Sequence, residues 1–160
     1  MSLRKRQGPR PATTSTNPHT QLDQQPVGAA VRERLAAVAF ALPGVREQES
    51  VISVPGARAL WLGEGANGPP EAFMVGREFA HFHPASSDQS LHMMLPAEIA
   101  EEAIAAGWAE LHPVARRGLL PPTAVMVYAP RDDLECDVVA GLICVSHAFA
   151  RGPGASDLAD

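Results

Sequence analysis

The sequence predicts an α+β fold, a single domain with a mainly antiparallel sheet and helices packed on one face. Three observations lead there. Segments with helical period stand near the beginning, in the middle and at the end of the chain. Short runs of alternating or β-branched residues lie between them. The resulting order (helix, several strands, helix, two strands, helix) offers few of the strand-helix-strand crossovers that a parallel sheet needs. A chain of 160 residues, 46% of them hydrophobic, suffices for one core of this kind.

Residues 1–25 are rich in Pro, Thr, Gln and Asn. Such a composition buries too little apolar surface to order itself, so a flexible arm is expected. Its best docking segment is Asn17-Pro18-His19-Thr20-Gln21-Leu22-Asp23-Gln24, with turn chemistry in Asn-Pro and an anchor in Leu22. His19 and Asp23 are expected to be solvated. The domain proper is expected over 26–151, followed by a disordered tail over 152–160.

From Gly28 to Leu42, Val31, Leu35, Val38 and Leu42 recur on one helical face, and Pro43-Gly44 stops the helix. Val51, Ile52 and Val54 predict a short strand, Arg58 to Leu62 a second, and Ala72 to Val75 a third. Pro96-Ala97-Glu98 opens the middle helix, and Gly107 ends it. Trp108 to Pro113 predicts a strand with Trp108, Glu110 and His112 on one face, and Thr123 to Tyr128 is a β-branched strand. The last helix, from about Asp132 to Phe149, repeats Leu134, Val138, Leu142, Val145 and Phe149, with Asp132 or Asp133 as N-cap.

Charge and composition exclude several classes. A formal net charge of −5 and a pI near 5.6 argue against a nucleic-acid partner, since phosphate neutralisation needs clustered cations. The basic run Arg4-Lys5-Arg6 with Arg10 lies in the arm. No apolar run approaches the roughly 20 residues that span a bilayer, and no secretory leader is evident. A soluble cytoplasmic protein is the expectation. Cys136 and Cys144 stand two turns, roughly 12 Å, apart on the last helix, beyond disulfide reach, and read as free thiols. Arg58, Arg77 and Arg131 read as local ion-pair partners before anion sites.

The site-like stretch is Phe79-Ala80-His81-Phe82-His83-Pro84, then a polar loop, then Ser90-Leu91-His92-Met93-Met94-Leu95. It predicts a hairpin turning between Ser86 and Ser87, with His81 opposite His92 and His83 opposite Ser90. Ala80, Phe82, Leu91, Met93 and Leu95 then share the core face; a one-residue slip would mix the two sets. Glu78 falls on the core face in this register, and Phe79 and Met94 wall the histidine face. Neutral imidazole suits a divalent transition metal, and three such ligands with an open position make a catalytic centre. His81, His83 and His92 are the candidate ligands; His112 and Glu110 are the candidate acid/base groups, with Glu78 a further candidate. The same residues can instead line a metal-free ligand pocket, or form an ordinary polar sheet face. Ser90 beside His83 and His92 imitates a nucleophile and base but lacks an oxyanion donor set.

Several of these stretches resemble the luciferase-domain family of small bacterial and fungal proteins. They are Asn17-Pro18-His19-Thr20-Gln21-Leu22-Asp23, Val54-Pro55-Gly56-Ala57-Arg58-Ala59, Glu78-Phe79-Ala80-His81-Phe82-His83-Pro84, Ser90-Leu91-His92, Gly107-Trp108-Ala109-Glu110-Leu111-His112-Pro113 and Val125-Met126-Val127-Tyr128-Ala129-Pro130-Arg131-Asp132. Together they cover most of Asn17 to Ala150. Ser146-His147 departs from the family's Ser-Tyr pair. The family name implies light emission, and the resemblance draws attention to His81, His83, His92 and His112.

The functional expectation is a small metal-dependent enzyme acting on a small organic molecule. The metal is iron, copper or zinc. Iron or copper brings oxidative, luciferase- or oxygenase-like chemistry, and zinc brings an activated water. The alternatives are a non-catalytic small-molecule-binding module on the same histidine face, and an interaction protein without a site.

Overall fold

A computed structural model describes residues 2–63 and 65–153. Along the chain run α1 (Ala30–Phe40), β1 (Val45–Glu49), β2 (Arg58–Leu62), β3 (Glu78–Phe82), β4 (Leu91–Met94), α2 (Ala97–Ala105), β5 (Ala109–Leu111), α3 (Pro113–Arg116), β6 (Ala124–Val127) and α4 (Asp133–Arg151). The strands form one sheet in the order β1-β2-β3-β4-β6-β5, every neighbouring pair antiparallel. Helices α1 and α4 pack on each other and α4 lies across β3 and β4, which gives the α+β architecture its helix-covered face.

The β3–β4 hairpin has the predicted register. His81 faces His92, and His83 donates its backbone N–H to Ser90 O at 3.2 Å. Phe82, Leu91, Met93 and Leu95 reach the helix-side core, where Leu35, Leu60, Val125, Val139, Leu142 and Ile143 meet them.

A bulge modifies the start of β3. Trp61 pairs with Glu78 and Leu60 with Ala80, so Phe79 is the extra residue. Such an insertion re-aims the side chains around it. Phe79 and Ala80 both enter the helix-side core, and Glu78 turns to the histidine face. The expected wall role of Phe79 and the expected core position of Glu78 are therefore both corrected. Met94 does stand on the histidine side, against Met74, Ala115 and Ala124.

Other local expectations change for identifiable reasons. Residues 51–54 form a loop, and the strand there is Val45–Glu49, whose polar side chains mostly face solvent on the sheet edge. A charged edge strand carries no apolar alternation to betray it, and its charges blunt edge-to-edge pairing. Ala72 to Val75 becomes a short 3-10 turn, Pro70–Ala72, with one bridge from Val75 to Glu78. On α4 the buried stripe is Cys136, Val139, Leu142, Ile143, Ser146 and Ala150, while Leu134 is exposed. That helix is apolar over a wide arc, so periodicity alone allowed two stripes. Its N-cap is Asp132, whose side chain accepts from Glu135 N at 2.8 Å. Gly107, at φ 86°, ends α2 as expected.

Residues 2–25 pack as a strap, held by polar bonds. Arg6 N donates to Ala106 O at 2.9 Å, Trp108 Nε1 to Arg4 O at 2.7 Å and Arg10 Nη1 to Ala109 O at 2.9 Å. Ala129 N donates to Gln21 Oε1 at 2.8 Å, and Thr13 bridges Gln21 to make a small hairpin of the arm. Composition reports apolar burial only. Here the strap is ordered by satisfying backbone groups at the end of α2 and along β5.

Candidate metal centre

One row of the sheet builds the site: Ala59, His81, His92, Met126 and Glu110 are successive cross-strand partners from β2 to β5. His83 follows His81 on the same face. His81, His83 and His92 are all buried, and their ring nitrogens converge. His81 Nε2 lies 3.1 Å from His92 Nδ1, and His83 Nε2 lies 3.3 Å from the same atom.

The outer atoms of these rings are committed. His81 Nδ1 donates to Glu78 Oε1 at 2.8 Å, an oxygen that also accepts from Ser50 Oγ at 2.7 Å. His83 Nδ1 donates to Asp88 Oδ2 at 2.8 Å. Ser90 Oγ is buried and donates to Asp88 Oδ1, so it is no free nucleophile. Burial raises the Asp88 pKa, and the hydrogen bonds from His83 and Ser90 outweigh it and hold the carboxyl below its usual range. Burial lowers His81 despite Glu78, and burial followed by the neighbouring imidazoles holds His92 well below 6.5. Both rings are thus kept neutral near pH 7, the form that ligates metals.

Two more histidines surround the trio. His19, expected in solvent, is only 3% exposed. Its Nε2 lies 2.6 Å from Glu110 Oε1 and its Nδ1 lies 3.2 Å from His92 Nε2. His112 packs edge-on against His92, with ring centroids 4.5 Å apart. Its Nδ1 accepts Val114 N–H at 3.1 Å as the N-cap of α3. The neutral ring therefore carries its proton on Nε2, and burial followed by the nearby imidazoles lowers its pKa to about 4. Glu110 collects three donors: His19 and Thr13 Oγ1 (2.8 Å) on Oε1, and Tyr128 OH (3.0 Å) on Oε2. Trp108, expected beside Glu110 and His112, packs in the helix-side core instead. Asp23 stays exposed and accepts from Ala12 N.

The imidazoles open onto a cavity of about 600 Å³. Its lining also includes Ile52, Val54, Met74, Val114, Leu119 and Leu120. The size is that of an ordinary small-molecule site. Two groups can hold a cation geometrically, His81-His83-His92 and His19-His92-His112. The first fits better, because His112 already uses Nδ1 as a helix cap and points a proton, not a lone pair, from its other nitrogen.

The roles of His19, Glu78 and Asp88 differ from those that the sequence pattern predicts. Asp88 had a local signal, the Asp-x-Ser spacing in which Asp88 Oδ1 accepts Ser90 N–H at 2.8 Å. Glu78 depends on the bulge and His19 on the path of the strap, neither of which periodicity encodes.

A buried imidazole cluster thus lies on one face of the antiparallel sheet of an α+β fold and opens onto a largely apolar cavity. The luciferase-domain family model matches residues 76–146, from two residues before β3 into the C-terminal half of α4. The chain is 32% identical to the luciferases of Armillaria ostoyae and Armillaria mellea over 162 aligned residues, covering 90% of this chain and 59% of each of theirs. It is 34% identical to the luciferase of Neonothopanus nambi over 86 residues, 52% of this chain and 32% of that one. Over residues 76–146 the chain is similar to the luciferase-domain family, and it spans 59% of the length of the Armillaria relatives. No solved structure matches it. No described helix is long and apolar enough to cross a membrane.

Proposed function

We propose that this protein is a metal-dependent enzyme with luciferase-like, oxidative chemistry on a small organic molecule held in the cavity. His81, His83 and His92 are its metal ligands. One observation carries the reading: the outer nitrogen of each ring faces an acceptor, which assigns the ring protons to the outside of the cluster. Asp88 and Glu78 accept hydrogen bonds from Nδ1 of His83 and His81, and Nδ1 of a neutral His19 accepts from Nε2 of His92. Three lone pairs are left facing one another at 3.1 and 3.3 Å. Metal–nitrogen bonds of about 2.0–2.1 Å put neighbouring ligand nitrogens roughly 2.9–3.4 Å apart, so the spacing matches a shared cation. Glu78 and Asp88 add two formal negative charges at 0% and 2% exposure, which a divalent ion balances. Imidazoles each backed by a carboxylate are a common metal-site arrangement.

Iron or copper there would supply oxidation by dioxygen, and zinc an activated water. The chain's own residues do the rest. The apolar wall excludes water and holds the organic body of the substrate against the imidazole face. His112, neutral and with Nε2 protonated, serves as a hydrogen-bond donor to a substrate oxygen in its acid/base role. The likeness to fungal luciferases favours the oxidative branch.

Elemental analysis of protein purified without an affinity tag tests this. The expected result is about one equivalent of iron, copper or zinc, lost in the His81→Ala/His83→Ala double variant. Metal-free protein that takes up none of the three on dialysis contradicts it.

A further inference from the structure

His92 is shared between two sets of partners. Its Nδ1 faces His81 and His83, while its Nε2 faces His19 on the N-terminal strap at 3.2 Å. We infer that Glu110 and His19 are positioning residues for His92, and that docking of the arm hairpin carrying His19 is coupled to cation binding at the inner trio. The coupling rests on the metal reading above; the positioning does not.

One chain of hydrogen bonds links Glu110 to His92 through His19. Thr13 Oγ1 and Tyr128 OH can only donate to the Glu110 carboxylate, and His19 Nε2 reaches the same group at 2.6 Å. A carboxylate accepts, so a neutral His19 ring carries its proton on Nε2 and presents a lone pair on Nδ1. His92 Nε2 must then be the donor across the 3.2 Å contact. That places the lone pair of His92 on Nδ1, facing inward. Glu110 thus acts through two rings and touches no substrate. This replaces the sequence expectation of Glu110 as an acid/base group.

The arm supplies both links. Thr13 and His19 sit on the two sides of its hairpin, joined by the bonds Thr14 N to Thr20 O (3.0 Å) and Leu22 N to Ala12 O (2.7 Å). Asn17 and Pro18 at its tip line the cavity. With a cation held on its Nδ1, His92 would donate more strongly through Nε2–H to His19. Docking is tightened by metal, and by linkage the metal is tightened by docking to the same factor.

The test combines zinc titration of the full chain with hydrogen exchange of residues 12–22 and nitrogen-15 NMR of the imidazoles in metal-free protein. His19→Ala and Glu110→Gln are expected to weaken zinc binding by about 10–100-fold. His19→Asn, whose amide oxygen can replace Nδ1 as acceptor, recovers most of that loss, which a merely structural role would not. Zinc slows exchange at Thr14 and Leu22 in the natural protein and not in His19→Ala. Unchanged zinc affinity in both variants, with exchange indifferent to zinc, overturns the inference. If the natural protein binds no zinc, the metal reading fails for zinc and the coupling with it, and the tautomer decides the positioning. His92 protonated on Nε2, becoming mixed in His19→Ala, supports it. The same tautomer in both proteins overturns it.

Discussion

The two faces of β3 and β4 are built from alternate residues of the same strands, yet they are held together differently. On the helix side, Phe82, Leu91 and Met93 pack among Leu35, Val139, Leu142 and Ile143, with no polar partner to satisfy. That face is stabilised in proportion to the apolar area it removes from water, and each residue contributes separately. On the other side, His81, His83 and His92 are equally buried but are held by a chain of donors and acceptors that reaches Glu78, Asp88, His19 and Glu110. A buried polar network is specific only when every member is satisfied, and its three inward lone pairs have no proton between them. Truncation should therefore damage the two faces in different currencies, stability on one and ligand affinity on the other.

Leu142→Ala, on the helix side, sets the largest stability effect. It should cost about 2–5 kcal/mol in urea denaturation, with metal affinity changed little in the protein that remains folded. Glu78→Gln should do the reverse. Its side chain keeps nearly the same volume, so stability moves by about 1 kcal/mol or less while metal affinity falls by about 10–100-fold. Equal losses of stability and affinity in both variants would erase the distinction between the faces.

Much of this contrast was legible in the chain. The alternation through Ala80–His83 and Leu91–Met94 fixed the hairpin register, because a one-residue slip would bury imidazoles in the helix-side core. Asp132 and Gly107 announced helix ends through local chemistry. The rest depended on contacts between segments distant in sequence. The bulge at Phe79 exchanged the faces of Phe79 and Glu78, and no feature of that strand alone demands an inserted residue. His19 lies in a strap whose order comes from backbone groups of α2 and β5, so its own neighbours in sequence carry no sign of burial. Val45–Glu49 pairs through its backbone while its side chains stay polar, and nothing apolar marks it.

Two smaller effects sharpen the comparison away from the site. Asp132→Ala removes the α4 N-cap and should lower stability by about 1 kcal/mol without altering metal content, checked by thermal unfolding and elemental analysis. His147 packs against Phe79 and donates Nε2–H to Pro43 O at 2.8 Å. Burial lowers its pKa below 6.5 in the folded state. Its contribution is therefore present above the unfolded value near 6.5 and lost as pH falls through the depressed folded value. In His147→Gln, which keeps a donor to Pro43 O, the loss of stability between pH 7 and pH 5 should be smaller; an unchanged slope would remove His147 from the acid response.

The central claim is that three neutral imidazole nitrogens share one cation. X-ray absorption of the metal-loaded protein reads this most directly. The account predicts three imidazole nitrogens at about 2.0–2.1 Å from the metal, falling to one or none in the His81→Ala/His83→Ala protein. A metal surrounded by oxygen ligands alone, or a nitrogen count unchanged by that double substitution, would contradict it.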